Sequence, residues 1–144
     1  MADKVINDTE FFAGLERWQQ RFKVKADQGI RAVALRMFNN IIRRTPVDTG
    51  FARNNWYPSL NEKIVPPKGT KETADKTGSG ALSKTASTVA SGKMGDAFYL
   101  QNGVPYIGAL ENGHSGQAPE GMVALTLAET RAFFRQTFRR GASQ

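Results

Sequence analysis

The sequence predicts an α+β chain. Three observations carry the prediction: an apolar stripe at alternating spacings of three and four through residues 8–44, two short runs of strand character near 52–60 and 97–101, and a second helical pattern that closes the chain. At 144 residues one core suffices, because a domain of that size buries about 70% of its unfolded surface. Residues 1–144 therefore read as a single domain, with flexible ends at 1–7 and 141–144.

The first helix is defined by Phe11, Leu15, Trp18, Phe22, Ala26, Ile30, Val33, Met37 and Ile41. Asn7 can cap it with Glu10 as the capping-box partner, Arg43 and Arg44 suit its negative end, and Pro46 stops it. Gly29 marks a point where it can bend or break. Thr45-Pro46-Val47-Asp48-Thr49-Gly50 then concentrates turn formers. Ala52 to Leu60 alternates as a strand, with Ala52, Asn54, Trp56, Pro58 and Leu60 on one face; Pro58 makes it an edge or ends it.

Residues 61–78 hold prolines, lysines, threonines and glycine with few apolar anchors, so they read as a long mobile loop. Leu82, Ala86, Val89 and Ala90 share the face of a short helix over 80–91. Ala97-Phe98-Tyr99-Leu100-Gln101 suits a second strand and Asn102-Gly103 a turn after it. Pro105 to Asn112 forms a short helix, with Gly113 as its left-handed terminator. Pro119 and Glu120 open the last helix, whose Val123, Leu127, Phe134 and Phe138 face the core. Arg131, Arg135 and Arg139 make a basic stripe beside them, open to a solvated reading or to contact with a subunit or nucleic acid.

The chain has no cysteine, which removes disulfides, thiolate metal sites and cysteine nucleophiles and fits a reducing cytoplasm. No basic-then-apolar leader opens it and no run approaches the roughly 18 apolar residues of a membrane span, so synthesis in the cytosol without membrane contact is expected. The formal charge of +7 suggests an acidic partner, although the cations are dispersed.

His114 is the sole histidine, so histidine-pair zinc sites are impossible. Gly113-His114-Ser115-Gly116 is not a nucleophile elbow, because Gln117 occupies the place of the final glycine. Gly92-Lys93 is followed by Met94 where a phosphate loop needs serine or threonine, and Gly78-Ser79-Gly80 lacks its third glycine. Asp48, Glu111 and Glu120 are scattered carboxylates. No catalytic residue, cofactor or metal is expected. Arg53 beside Trp56 is a fragment of a nucleic-acid platform, or else an anchor of core or interface.

Three segments in order carry a resemblance. They are 45–50 with Ala52-Arg53-Asn54-Asn55-Trp56, then Tyr99-Leu100-Gln101-Asn102-Gly103-Val104-Pro105-Tyr106, then 110–123 from Leu110-Glu111-Asn112-Gly113 to Gly121-Met122-Val123. Together they resemble the neck or tail-completion family of long-tailed bacteriophages, related to the minor tail proteins of the lambda Z type, over roughly residues 10–138. The resemblance implies long N-terminal and C-terminal helices packed on a short antiparallel sheet. It implies a structural virion protein that assembles as a ring at the head-tail junction, with other neck and tail proteins as partners and DNA in the channel without sequence-specific contact. Its location is then the virion neck or tail, and the host cytoplasm during assembly.

Asp48, Arg53, Trp56, Tyr106, Glu111 and His114 are the candidates for anchoring the loops to one another or to a neighbour, with Arg131, Arg135 and Arg139 as further interface candidates. A tail terminator or stopper ring at the same junction is the nearest alternative, and a basic nucleic-acid-binding module the next.

Overall fold

A computed structural model describes residues 9–68, 73–113, 115–118 and 120–142. The elements run α1 (Thr9–Arg44), a single 3-10 turn (Arg53–Asn55), β1 (Trp56–Leu60), α2 (Ser79–Ala90), β2 (Phe98–Asn102), α3 (Ile107–Glu111) and α4 (Met122–Ala142). The α+β class, the long first helix and the terminal helix are those the sequence predicts. The proposed capping residue Asn7 and the flexible end 1–7 lie outside the described residues, as do residues 143 and 144.

Helix α1 is the spine. Its 36 residues extend about 54 Å, and it runs as one helix through the buried Gly29, where the sequence allowed a bend or a break and no break occurs. Among its described side chains, burial begins at Ala26 and continues through Val33, Ala34, Phe38, Ile41 and Ile42. Phe22 belongs to the apolar spacing but is 63% exposed. Among the described side chains of the stripe, those that the body of the domain buries lie in its second half.

Strands β1 and β2 form a two-stranded antiparallel ribbon with Trp56 opposite Asn102 and Leu60 opposite Phe98. The strand begins at Trp56 rather than Ala52, because 51–55 wind into turns, with Asn54 N–H donating to Gly50 O and Asn55 N–H to Ala52 O. Gly103 N–H donates to Asn55 O and Asn61 N–H to Ala97 O, so the odd-numbered residues of β1 carry the ladder. Pro58 therefore falls where its missing N–H would point away from β2, and the strand passes through it.

Ile41, Ile42, Trp56, Ala81 and Met122 make one buried cluster; Ala34, Phe38 and Val89 make the second, with Met37 and Leu100 packed against both. The two long helices are antiparallel, since Arg44 meets Thr126 and Glu129 while the Arg36 guanidinium lies 4.5 Å from the Phe133 ring centre. Helix α4 reaches the sheet side of the core through Met122 and lies along α1 for much of its length.

Two helical faces are rotated from those the spacing suggested. In α2 the buried residues are Ala81, Thr85 and Val89, while Ala86 and Ala90 are exposed. In α4 Met122 and Thr126 are buried, whereas Leu127 and Phe134 are 47% and 43% exposed. Hydropathy ranks both buried threonines as polar and so does not signal their burial; in α4 Thr126 satisfies its hydroxyl on Met122 O at 2.6 Å and can be interred at low cost. The Phe138 side chain lies outside the description. The starts of the last two helices also shift: α3 begins at Ile107, after Pro105, and α4 begins at Met122 because Gly121 takes a left-handed φ of 80°. Gly113, at φ 84°, follows α3 as expected.

The described parts of the 61–78 loop are tied down. Ile64 N–H donates to Gln101 Oε1, Asn61 exchanges bonds with Asp96 and Ala97, and Thr73 O accepts from Asn54. Asp75 accepts from Thr77 and from Ser79 Oγ at the start of α2.

Candidate functional site

The three separated segments meet at one end of the molecule, around the C-terminus of α1. Thr45 is the hub. Its hydroxyl donates to Ile41 O at 2.7 Å and accepts the indole N–H of Trp56 at 2.8 Å, while its carbonyl accepts Arg53 Nε at 3.0 Å. Arg53 also donates to Lys76 O at 2.9 Å, so its guanidinium holds the segment before β1 and the segment before α2. Burial draws the Arg53 pKa below its usual value.

The second segment joins through Asn102, whose amide donates to Ala52 O at 2.9 Å and whose Oδ1 accepts Val104 N–H at 2.9 Å. The third joins through Gln117, which grips one residue from both sides: its Oε1 accepts Val47 N–H at 2.8 Å and its Nε2 donates to Val47 O at 2.9 Å. A carboxamide paired with a backbone amide in this way imitates one rung of a sheet and fixes the 45–50 turn against 115–118.

Two helix starts are capped from a distance. Glu111 Oε2 accepts Val123 N–H at 2.8 Å and Oε1 accepts Ala124 N–H at 2.9 Å, so a carboxylate sits on the positive end of α4. Asn54 Oδ1 accepts Ala81 N–H at 3.0 Å at the start of α2, and its Nδ2 reaches Thr73 O. Both caps replace the local Ser, Thr or Asp residue that usually serves.

These bonds leave an open groove of about 730 Å³ lined by Pro46, Val47, Asp48, Phe51, Tyr106 and Leu110 among others. Among the described residues, Asp48 is the only formally charged side chain lining it. Tyr106 is 47% exposed at its edge, and burial first, then the Asp48 carboxylate, raises its phenol above the usual range. Ser115, also in the lining, uses its Oγ to accept Gln117 N–H. Among the described residues no three His, Asp or Glu side chains gather as metal ligands would, and no helix is long and apolar enough to cross a membrane.

Of the sequence candidates, Asp48, Arg53, Trp56, Tyr106 and Glu111 belong to this end, with Trp56, Arg53 and Glu111 making intramolecular bonds. His114 lies outside the described residues, and the Arg139 side chain with it. Arg131 and Arg135 are exposed on α4 beside Leu127 and Phe134, away from the groove. Sequence reasoning missed Asn54, Asn55 and Gln117. Asn55 is fully buried, donates to Phe51 O and accepts the Tyr57 hydroxyl at 3.2 Å. The available signal was an Asn pair four residues past the glycine of the 45–50 turn, where side chains commonly bond to nearby backbone.

No protein-family model matches the chain, and neither a curated protein nor a solved structure matches it.

Proposed function

We propose that the chain is a structural virion protein of the neck or tail-completion type, which assembles as a ring at the head-tail junction of a long-tailed phage. The observation that carries this reading is the convergence of segments 45–56, 99–106 and 110–123 into one hydrogen-bonded platform. Those are the segments on which the family resemblance rests, and a contact repeated around a ring requires loops held in one shape in every copy. A platform cross-tied by Thr45, Arg53, Asn102, Glu111 and Gln117 meets that requirement. The open groove on it offers a binding surface.

Electron microscopy of lysates from a phage lacking the gene tests the reading. Filled heads and tails accumulating apart, or tails with defective ends, support it. Normal joined particles in ordinary numbers overturn it.

A further inference from the structure

Beside the groove, and sharing Gln117 with it, a second pocket of about 300 Å³ opens between the end of α1, the 3-10 turn and the start of α4. Arg43, Arg44 and Arg53 line it, together with Glu120, Gly121 and Leu125. Each arginine has a local role. Arg43 and Arg44 suit the negative end of α1, Arg44 is bonded to Thr126 and Glu129, and Arg53 holds the carbonyls of Thr45 and Lys76. Those roles do not account for three guanidinium groups, from two elements, at the wall of one concavity.

The donors there are not exhausted. A guanidinium carries more N–H groups than Arg44 or Arg53 uses in these bonds. Arg43 is exposed and, among the described residues, has neither an acidic nor a hydrogen-bonding partner. The nearby carboxylates are engaged, Glu129 on Arg44 and Glu111 on the N–H groups of Val123 and Ala124, while Asp48 lines the adjoining groove and not this pocket. Glu120 is the carboxylate left at the wall, and it is exposed. Burial disfavours the charged form of Arg53, a loss that an anion in the pocket would offset. Lys76, whose carbonyl Arg53 holds, is exposed at the same end and extends the positive surface outward.

We infer that the pocket walled by Arg43, Arg44 and Arg53 receives a phosphate of a nucleic-acid backbone, without reading base sequence. The planar fork of a guanidinium matches the paired oxygens of a phosphate. A second copy of the chain is a poor source of the anion, because 20 lysines and arginines against 13 aspartates and glutamates make copies repel. A polymer of phosphates is attracted by the same surplus along its whole length. Arg43 supplies the free fork, Arg53 the fixed one, and Glu120 opposes them. The site is a property of the isolated chain and does not rest on the neck reading.

Full-length protein titrated with a fluorescent DNA duplex of random sequence, at a series of salt concentrations, tests the site by anisotropy. Arg43→Gln, at an exposed and unbonded position, lowers the affinity about fivefold and makes the salt slope shallower by about one. Glu120→Gln raises the affinity by about threefold, since it removes the opposing charge. Arg131→Gln, on the exposed part of α4 away from the pocket, is the control for net charge and shifts the affinity less than Arg43→Gln does. A parent protein that does not bind the duplex at low salt overturns the inference. Equal losses from Arg43→Gln and Arg131→Gln also overturn it, because they report diffuse charge rather than a site. Polyglutamate that displaces the duplex as well as unlabelled DNA does would assign the pocket to protein carboxylates and sink the phosphate reading. Arg43-dependent binding together with normal particles from the gene-deleted phage would keep this site and remove the neck reading; separated heads and tails with no DNA binding would do the reverse.

Discussion

Glu111 caps α4 from the helix before it, its carboxylate accepting the N–H of Val123 at 2.8 Å and of Ala124 at 2.9 Å. The bond couples two turns that each depend on a glycine. Gly113 follows α3 at φ 84°, and Gly121 precedes α4 at φ 80°, where a Cβ would lie 2.4 Å from Glu111 O. The short stretch between the helices is therefore held at both ends, and the platform keeps its third segment by one carboxylate as well as by Gln117.

Removing that carboxylate is expected to loosen the third segment. Glu111→Ala strips two N–H groups of α4 of their acceptor and should cost about 1–2 kcal/mol. Glu111→Gln keeps an acceptor oxygen without the charge and should recover part of the loss. Urea unfolding measures this as a lower midpoint at unchanged slope. Equal stability of Glu111→Ala and the parent would mean that water serves the helix start as well as the carboxylate does.

The Thr45–Trp56 bond makes a second, separable prediction. Thr45→Val leaves the buried indole N–H without its acceptor, a loss of about 1–3 kcal/mol. Trp56→Phe removes the donor and much of the ring, and should be costly through the core it fills with Ile42 and Met122. Because the bond is lost only once, the double variant should be less destabilised than the sum of the two, by about 1 kcal/mol. Strict additivity in the double-mutant cycle would show that the bond contributes nothing net.

The sequence made most elements legible because their signals are local. The apolar spacing of α1, the stop at Pro46, the turn at Gly50 and the terminator at Gly113 all depend on neighbours in the chain, and all four are in the fold. The two rotated faces were not legible, because Thr85 and Thr126 are buried through tertiary contacts that hydropathy does not register. The end of strand character before Trp56 was hidden for a related reason: Asn54 and Asn55 alternate correctly for a strand but spend their amides on backbone, Asn54 on Thr73 and Ala81, Asn55 on Phe51. Of the site, Arg53, Trp56 and Glu111 were singled out within the segments that carry the family resemblance. Gln117 was visible only as a residue that spoiled a catalytic motif, since its pairing with Val47 spans 70 positions.

Two glycines should respond in opposite directions. Gly50 has φ 86°, and a Cβ there would lie 2.2 Å from the backbone carbon of Asp75. Gly50→Ala should therefore cost about 3 kcal/mol or more, through both backbone strain and a clash with main chain that cannot step aside. Gly108 lies within α3 with open space where its Cβ would be. Gly108→Ala should be neutral or stabilise by up to about 1 kcal/mol. Thermal unfolding of the pair checks both, and a tolerated Gly50→Ala would contradict the close approach of the 45–50 turn to Asp75.

Asp75 supplies a pH dependence of determined sign. Its carboxyl is held down to about 2, below an ordinary 3.8, chiefly by the Ser79 hydroxyl and then by the Thr77 hydroxyl and backbone N–H. A group depressed in the folded state stabilises it above the unfolded pKa and loses that contribution as protonation proceeds. The stabilisation is thus fully present above about pH 5 and fades as pH falls through 4 toward 2. Asp75→Asn should lower Tm by a constant amount from pH 8 to about 5, and the gap should narrow steadily below pH 4. Melting curves of parent and variant across that range read the difference directly, and a gap independent of pH would mean that the carboxylate is not what organises the start of α2.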